Sequence, residues 1–312
     1  MKRTGTWHRS TLSILFLALC CCAAAYQQPS SRAARVFDVR AYGAKGDGKA
    51  LDSPAINKAI DAAAAAGGGT VVFPAGSYRS FSIRLKSNVG LFLDHGSTIV
   101  AADPRDGDGK YDLPEPNQWD PYQDFGHSHW RNSLIWGENL QNISITGPGR
   151  IWGKGLVRSG SQSRTKEQND ALANVPVDPK TAPFGYPNPR DAVEPGWGNK
   201  AISLKLSRNV LIRDISILHG GHFAILATGV DNLTIDNVTI DTNRDGIDID
   251  ACKNVRISNC TINSPFDDAI CPKSSFALGY ARATENVTIT NCQVSGYDEG
   301  TLLDGTFKRD FR

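Results

Sequence analysis

The sequence predicts an all-β parallel β-helix, a solenoid of short strands with a short capping helix at its N-terminal end. Two observations carry this reading. A strand pattern recurs, as R-N-V-L-I-R-D-I-S-I (208–217), D-N-L-T-I-D-N-V-T-I (231–240), K-N-V-R-I-S-N-C-T-I (253–262) and E-N-V-T-I-T-N-C-Q-V (285–294), with shorter versions at 87–93 and 141–147. The leading residues Asn209, Asn232 and Asn254 are spaced by 23 and 22, and Asn286 follows after 32, which places an insertion of roughly ten residues before it. A fixed period means one supersecondary unit per repeat, stacked to share a core. Strict apolar–polar alternation within each unit means strands. Roughly three short strands fill each unit, and equivalent residues then stack at about 4.8 Å. Each coil covers the strand edges of its neighbour.

Along the chain, residues 1–25 read as an export signal. Lys2, Arg3 and Arg9 precede the apolar run T-L-S-I-L-F-L-A-L-C-C-C, and Ala23-Ala24-Ala25 is a small-residue cleavage site. The run is short for a membrane span. Leu19 is a poor match to the small residue a lipoprotein signal would place before Cys20, so anchoring through Cys20, Cys21 or Cys22 is disfavoured. The remainder is expected to be secreted or periplasmic. Removing the signal takes the formal charge from +2 to −1, which leaves no basic footprint for nucleic acid. Residues 26–35 are a polar linker, and 36–312 form the β-helix domain. Within it Ser53 is expected to N-cap a helix running to Ala66, with Ile56, Ala59, Ile60 and Ala63 on one face. Gly67-Gly68-Gly69 stops that helix.

Two insertions interrupt the repeat. Residues 103–133 carry Trp119, Tyr122, Phe125 and Trp130; residues 156–198 carry a charged run and then P-F-G-Y-P-N-P-R. Such loops are usually functional or disordered. Their aromatics suit sugar faces, or equally the packing of the loops on themselves. Of seven cysteines, Cys252, Cys260, Cys271 and Cys292 follow the signal. Cys260 and Cys292 occupy apolar slots of the repeat and are expected to pack as small hydrophobes. The N-x-S/T matches at Asn142, Asn232, Asn237, Asn259 and Asn286 arise from the repeat, and their side chains are expected to form a ladder at a turn.

The repeat register then builds a site. With offsets of 22 and 23, His222, Arg244 and Asp267 fall in one column, and Phe223, Asp245 and Asp268 in the next. Carboxylates about 5 Å apart repel, and at least one is expected to hold its proton more tightly. An acid and a base at one pH are what glycosidic cleavage needs. Acidic residues at β-helix turns are otherwise ordinary, and Asp231, Asp236, Asp248 and Asp250 are read that way. Clustered carboxylates also bind Ca²⁺. The convergence of three Asp with Arg244 and His222 favours catalysis, with no metal and no cofactor.

These segments resemble glycoside hydrolase family 28, the polygalacturonases and related pectin hydrolases, over nearly the whole chain after the signal. F-D-V-R-A-Y-G-A-K-G-D-G and G-G-G-T-V-V-F-P-A-G-S-Y resemble the cap region of pectin-degrading β-helices, and I-T-G-P-G-R-I-W-G-K-G is similar to a further family motif. N-R-D-G-I-D is similar to the family's Asn-Thr-Asp-Gly motif with Arg244 in place of Thr. D-D-A-I-C-P-K-S resembles its Asp-Asp-x-Ile-x-x-Lys-Ser motif. The resemblance implies a right-handed, pectin-lyase-like solenoid and an inverting hydrolase of pectic polysaccharide. By that resemblance Asp267 is the general acid, Asp245 and Asp268 hold and deprotonate water, Asn243 orients its neighbours and Lys273 lies nearby.

The family's Gly-His-Gly and Arg-Ile-Lys motifs have no match here, and the chain reads as ending about one coil past the Asp pair, as a truncated sequence would. The expected partner is a galacturonan-type polysaccharide, with no nucleic acid and no membrane span, and the protein is expected to be a monomer. Two other readings stand beside hydrolysis: a lyase on the same scaffold, using Ca²⁺ and a basic residue, and a non-catalytic carbohydrate-binding β-helix.

Overall fold

The computed structural model describes residues 1–2, 35–118, 125–157, 195–242, 244–264 and 267–295. The chain divides into two compact units, Met1–Ala34 and Arg35–Arg312. Apart from Met1, Lys2 and Arg35, the export signal and linker lie outside the described residues, as do Asn243, Trp119, Tyr122 and most of the second insertion.

The described strands of the second unit stack into three parallel sheets. Sheet A holds eight strands, from Val36–Asp38 to Glu285–Thr290; sheet B eight, from Asp47–Leu51 to Gln293–Ser295; sheet C six, from Ile83–Arg84 to Ile270–Lys273. One coil shows the plan. Phe223–Thr228 lies in sheet C, Asp231–Asp236 in A and Thr239–Asp241 in B, and the next coil re-enters C at Asp245–Asp250.

The sequence alternation sets the register. Val210, Leu233 and Val255 pair in succession along sheet A, as do Ile212, Ile235 and Ile257. Ile217, Ile240 and Ile262 do the same in sheet B. These side chains are buried in one continuous core. Each contributes roughly 1.5–3 kcal/mol of apolar burial.

The turns are held by asparagine, as expected. Asn88, Asn142, Asn209, Asn232, Asn254 and Asn286 all adopt positive φ near the left-handed region, which Asn tolerates better than most residues. Each side-chain amide of Asn142, Asn209, Asn232, Asn254 and Asn286 donates to the Oδ1 of the asparagine one coil below, at 2.8–3.2 Å. A second ladder runs through Asn237 to Asp214, Asn259 to Asp236 and Asn291 to Asn259. All five N-x-S/T asparagines sit in these ladders. Among the described residues Cys252, Cys260, Cys271 and Cys292 are free thiols, and the first three are buried.

The helix spans Ser53–Ala65 and buries Ile56, Ala59, Ile60 and Ala63 against the first coils. Its N-cap is Asp52, not Ser53. The Asp52 carboxylate instead accepts from the Lys45 and Gly46 amides, and Ser53 Oγ accepts from the Phe81 amide at 2.7 Å. Both side chains tie the helix to neighbouring coils, and neither closes its first turn.

The two long insertions both leave from one corner. The first insertion joins Ser97–Ala101 of sheet B to Ile135–Glu138 of sheet C. The second joins Arg150–Trp152 of B to Lys200–Lys205 of C. The segments carrying Arg244 and the Asp267–Asp268 pair are also B-to-C connections. The insertion before Asn286 instead joins sheet C to sheet A, at the far ends of the same strands.

Candidate active site

The register at this corner is the one read from the repeat. Phe223 pairs with Asp245, and Ile247 with Ile270. The Gly246 amide donates to Asp268 O at 2.9 Å, and the Ile247 amide to Ala269 O at 3.0 Å. Position 246 must be glycine for this approach, because a Cβ there would lie 2.5 Å from Ala269 O and 2.7 Å from Ile262 Cγ2. Ser264 Oγ clips the two turns together, donating to Arg244 O at 2.5 Å and Asp267 O at 3.0 Å.

Three carboxylates converge as a result. One oxygen from each of Asp245, Asp267 and Asp268 lies within 4.8 Å of the others. Asp245 is buried; the other two are partly exposed. Burial first, and then the charges of Asp248 and Asp267, push the Asp245 carboxyl well above the usual carboxylate range. Such a trio can also hold a hard divalent cation, but here a guanidinium already shares it. Arg244 Nε donates to Asp267 Oδ2 at 2.9 Å and lies 3.5 Å from Asp245 Oδ2. Arg244 Nη1 is 2.7 Å from His222 Nδ1. Arginine has no acceptor, so Nδ1 accepts and the ring of His222 carries its proton on Nε2. That ring is buried and tilted against Phe223, with centroids 4.4 Å apart.

Lys273 lies one step further in. It donates to Asp248 Oδ2, and its Nζ is 3.1 Å from His127 Nε2. Burial is the largest single influence on Lys273 and would lower its pKa, but the charge and hydrogen bond of Asp248, together with other nearby acidic groups such as Asp245, outweigh it, and the ammonium is retained. Burial pushes Asp248 up to about 6, against the pull of Lys273. Asp250 is also buried and is raised for the same reason; it accepts from the Ser275 amide at 2.7 Å. The reading of Asp248 and Asp250 as ordinary turn acids is therefore corrected. They project from strand Asp245–Asp250 and are sealed from water. Asp236, by contrast, is an ordinary turn acid as expected, accepting from Ser258 at 2.7 Å and Asn259 at 2.8 Å.

Of the supporting residues expected beside the trio, the structure brings Arg244 directly to it, His222 by way of Arg244, and Lys273 by way of Asp248. Asn243 lies outside the described residues. The residue that sequence reasoning missed is His127. It belongs to the first insertion, and its ring packs 4.8 Å from that of Phe223. Nothing periodic marks it; the one available signal was a His within an insertion that leaves from the site corner. Trp130, an aromatic of the same insertion, does not present a face for sugar. It is buried with Phe223, Leu226 and Ala277, and its indole N–H donates to Thr228 Oγ1 at 3.0 Å.

Comparison with known proteins agrees with this architecture. Residues 36–183 match the family model described as rhamnogalacturonase A/epimerase, pectate lyase-like, and residues 192–308 match the right handed beta helix region. The exo-poly-α-D-galacturonosidase of Dickeya chrysanthemi is 27% identical over 271 residues, covering 78% of this chain and 42% of that protein. A mannuronan C5-epimerase of Azotobacter vinelandii, AlgE3, is 63% identical over 69 residues, 22% of this chain and 4% of that protein. The exopolygalacturonase structure of Thermotoga maritima superposes with a TM-score of 0.65 at 21% identity, covering 84% of this chain and 60% of that one. The chain thus spans less than half the length of the curated relatives it matches. It is a right-handed parallel β-helix protein, similar in sequence to the Dickeya exo-poly-α-D-galacturonosidase.

Proposed function

We propose that this protein hydrolyses glycosidic bonds in pectic polysaccharide of the galacturonan type. The observation that carries the reading is the convergence of Asp245, Asp267 and Asp268 within 4.8 Å at a B-to-C corner. The named activity of the Dickeya relative supports it. In this reading Asp267 gives its proton to the leaving glycosidic oxygen as the bond from that oxygen to the anomeric carbon breaks. Asp245 and Asp268 hold a water, whose oxygen bonds to the anomeric carbon and whose proton passes to their carboxylates. Asp245 is buried, so its charge interactions are screened less than those of an exposed carboxylate.

The proposed outcome is inversion, as the family resemblance implies. The nearest oxygens of the trio lie within 4.8 Å of one another, while most inverting enzymes hold their two carboxyl groups roughly 6.5–9.5 Å apart. The anomer first released, read by proton NMR, decides it; a retained anomer overturns the inverting assignment.

The test of the activity is incubation with polygalacturonate, rhamnogalacturonan and other pectic polymers. New reducing ends without ultraviolet absorbance support hydrolysis. Unsaturated, absorbing products would mean a lyase, and no product on any of these polymers would mean a binding module. We propose further that residues 1–25 direct export, so that the enzyme meets its polymer outside the cytoplasm as a monomer.

A further inference from the structure

Asp267 is held as an acceptor on both of its oxygens. Oδ2 accepts from Arg244 Nε at 2.9 Å, and Oδ1 accepts from the Asp268 amide at 3.1 Å. A general acid must present an O–H to the leaving oxygen, and of the two contacts only that with Arg244 brings a cation onto an oxygen that could carry the proton. The Asp268 amide is adjacent backbone, fixed by the chain. Arg244 is a side chain whose guanidinium also meets His222 and lies beside Asp245. It stands where the resemblance places a threonine, which has no charge to offer.

We propose that Arg244 is a latch on Asp267 released by a substrate carboxylate, so that an anionic sugar at the cleavage point arms the acid that cleaves it. The inference rests on the hydrolase reading above and deepens it. In the free protein the guanidinium pairs with Asp267. A uronate carboxylate is an acceptor of the same kind and competes for the Nε–H that Asp267 holds. Once the guanidinium has turned to the substrate, Asp267 accepts a proton from solvent hydronium, which leaves as water, and passes it to the leaving oxygen as that oxygen's bond to the anomeric carbon breaks. His222 accepts from Nη1 throughout and keeps the arginine over the site. A neutral sugar leaves the latch closed. The selectivity for acidic polymer is thereby expressed at the acid itself, in addition to any binding energy. Arg244 acts here as a positioning residue for Asp267 and as a specificity determinant.

The experiment compares wild type, Arg244→Thr and Arg244→Lys on polygalacturonate and rhamnogalacturonan, and on the same polymers with their carboxylates methyl-esterified. Far-ultraviolet circular dichroism and a thermal melt confirm that each variant folds. The latch predicts opposite signs. Arg244→Thr should lose at least tenfold in kcat/KM on the acidic polymer, mainly through KM. It should gain on the esterified polymer, where Asp267 no longer waits for release. Arg244→Lys keeps the charge without the planar fork and should fall between them. Structural damage would instead lower both rates together. A folded Arg244→Thr or Arg244→Lys that keeps the wild-type ratio of acidic to esterified rates, or that loses equally on both polymers, overturns the latch and leaves the hydrolase reading standing. Wild type inactive on every polymer overturns that reading and the latch with it.

Discussion

Lys273 reaches past its lateral neighbour Asp250 to donate to Asp248. In the strand register Lys273 lies opposite Asp250, and Cys271 opposite Asp248. The ammonium crosses that register to pair with Asp248, which is completely buried. Asp250 is left to the Ser275 amide. This diagonal pair joins two adjacent coils directly beside the carboxylate trio. Replacing Lys273 by Met would keep its length and remove its charge. A buried carboxylate without its partner costs about 3–5 kcal/mol. Lys273→Met is therefore expected to lower unfolding stability by that order, measured by urea denaturation at pH 7. A loss below about 1 kcal/mol would show that the pair contributes little.

The same carboxylate gives the pH dependence. Burial holds Asp248 up at about 6, against 3.8 for an ordinary aspartate. The folded state therefore binds this proton more tightly than the unfolded state. Stability falls as pH rises wherever the native state holds more protons, so the contribution of Asp248 declines between roughly pH 4 and 6 and stays low above. The full difference is on the order of 3 kcal/mol. Asp245 is raised as well and adds to the same slope. The wild-type stability measured by urea should drop over this window, and Asp248→Asn should flatten the drop. An unchanged slope in Asp248→Asn would place the titration elsewhere.

The trio itself is tested by Asp267→Asn. The amide is close to isosteric with the carboxyl and cannot protonate a leaving oxygen. General acid catalysis contributes about 10²–10⁴-fold, and kcat is expected to fall by that order on polygalacturonate. Asp267 is partly exposed at the corner, so the thermal midpoint should move by only a few degrees. Turnover near that of wild type would remove Asp267 from the role of acid.

What the sequence made legible follows from periodicity. Asp245 and Asp268 were placed in one column, and His222, Arg244 and Asp267 in the next, because offsets of 22 and 23 translate directly into parallel pairing. The Asn ladders were legible for the same reason. His127 and Trp130 were not, since an insertion that folds back over sheet C carries no repeat to align. The burial of Asp248 was hidden with them. Its position in D-G-I-D-I-D looks like any outward-facing strand acid until the neighbouring loops close over it. The N-cap was misjudged on a different ground. Ser53 has the chemistry of a cap, but the Phe81 amide takes its hydroxyl.

The turn ladder offers a last test, away from the site. Asn232 has φ +55° and stands between Asn209, to which its amide donates at 3.0 Å, and Asn254, from which its Oδ1 accepts at 3.2 Å. Alanine would lose both bonds, each worth about 0.5–1.5 kcal/mol, and would hold a left-handed conformation without the local bonding that makes asparagine tolerant of it. Glycine would lose the same bonds but adopt the conformation freely. Asn232→Ala is therefore expected to destabilise by about 2–4 kcal/mol, and Asn232→Gly by about 1 kcal/mol less. Denaturant unfolding of the two variants separates the bond from the backbone. If glycine is no better than alanine, the ladder bonds alone hold the turn, and the left-handed geometry costs nothing there.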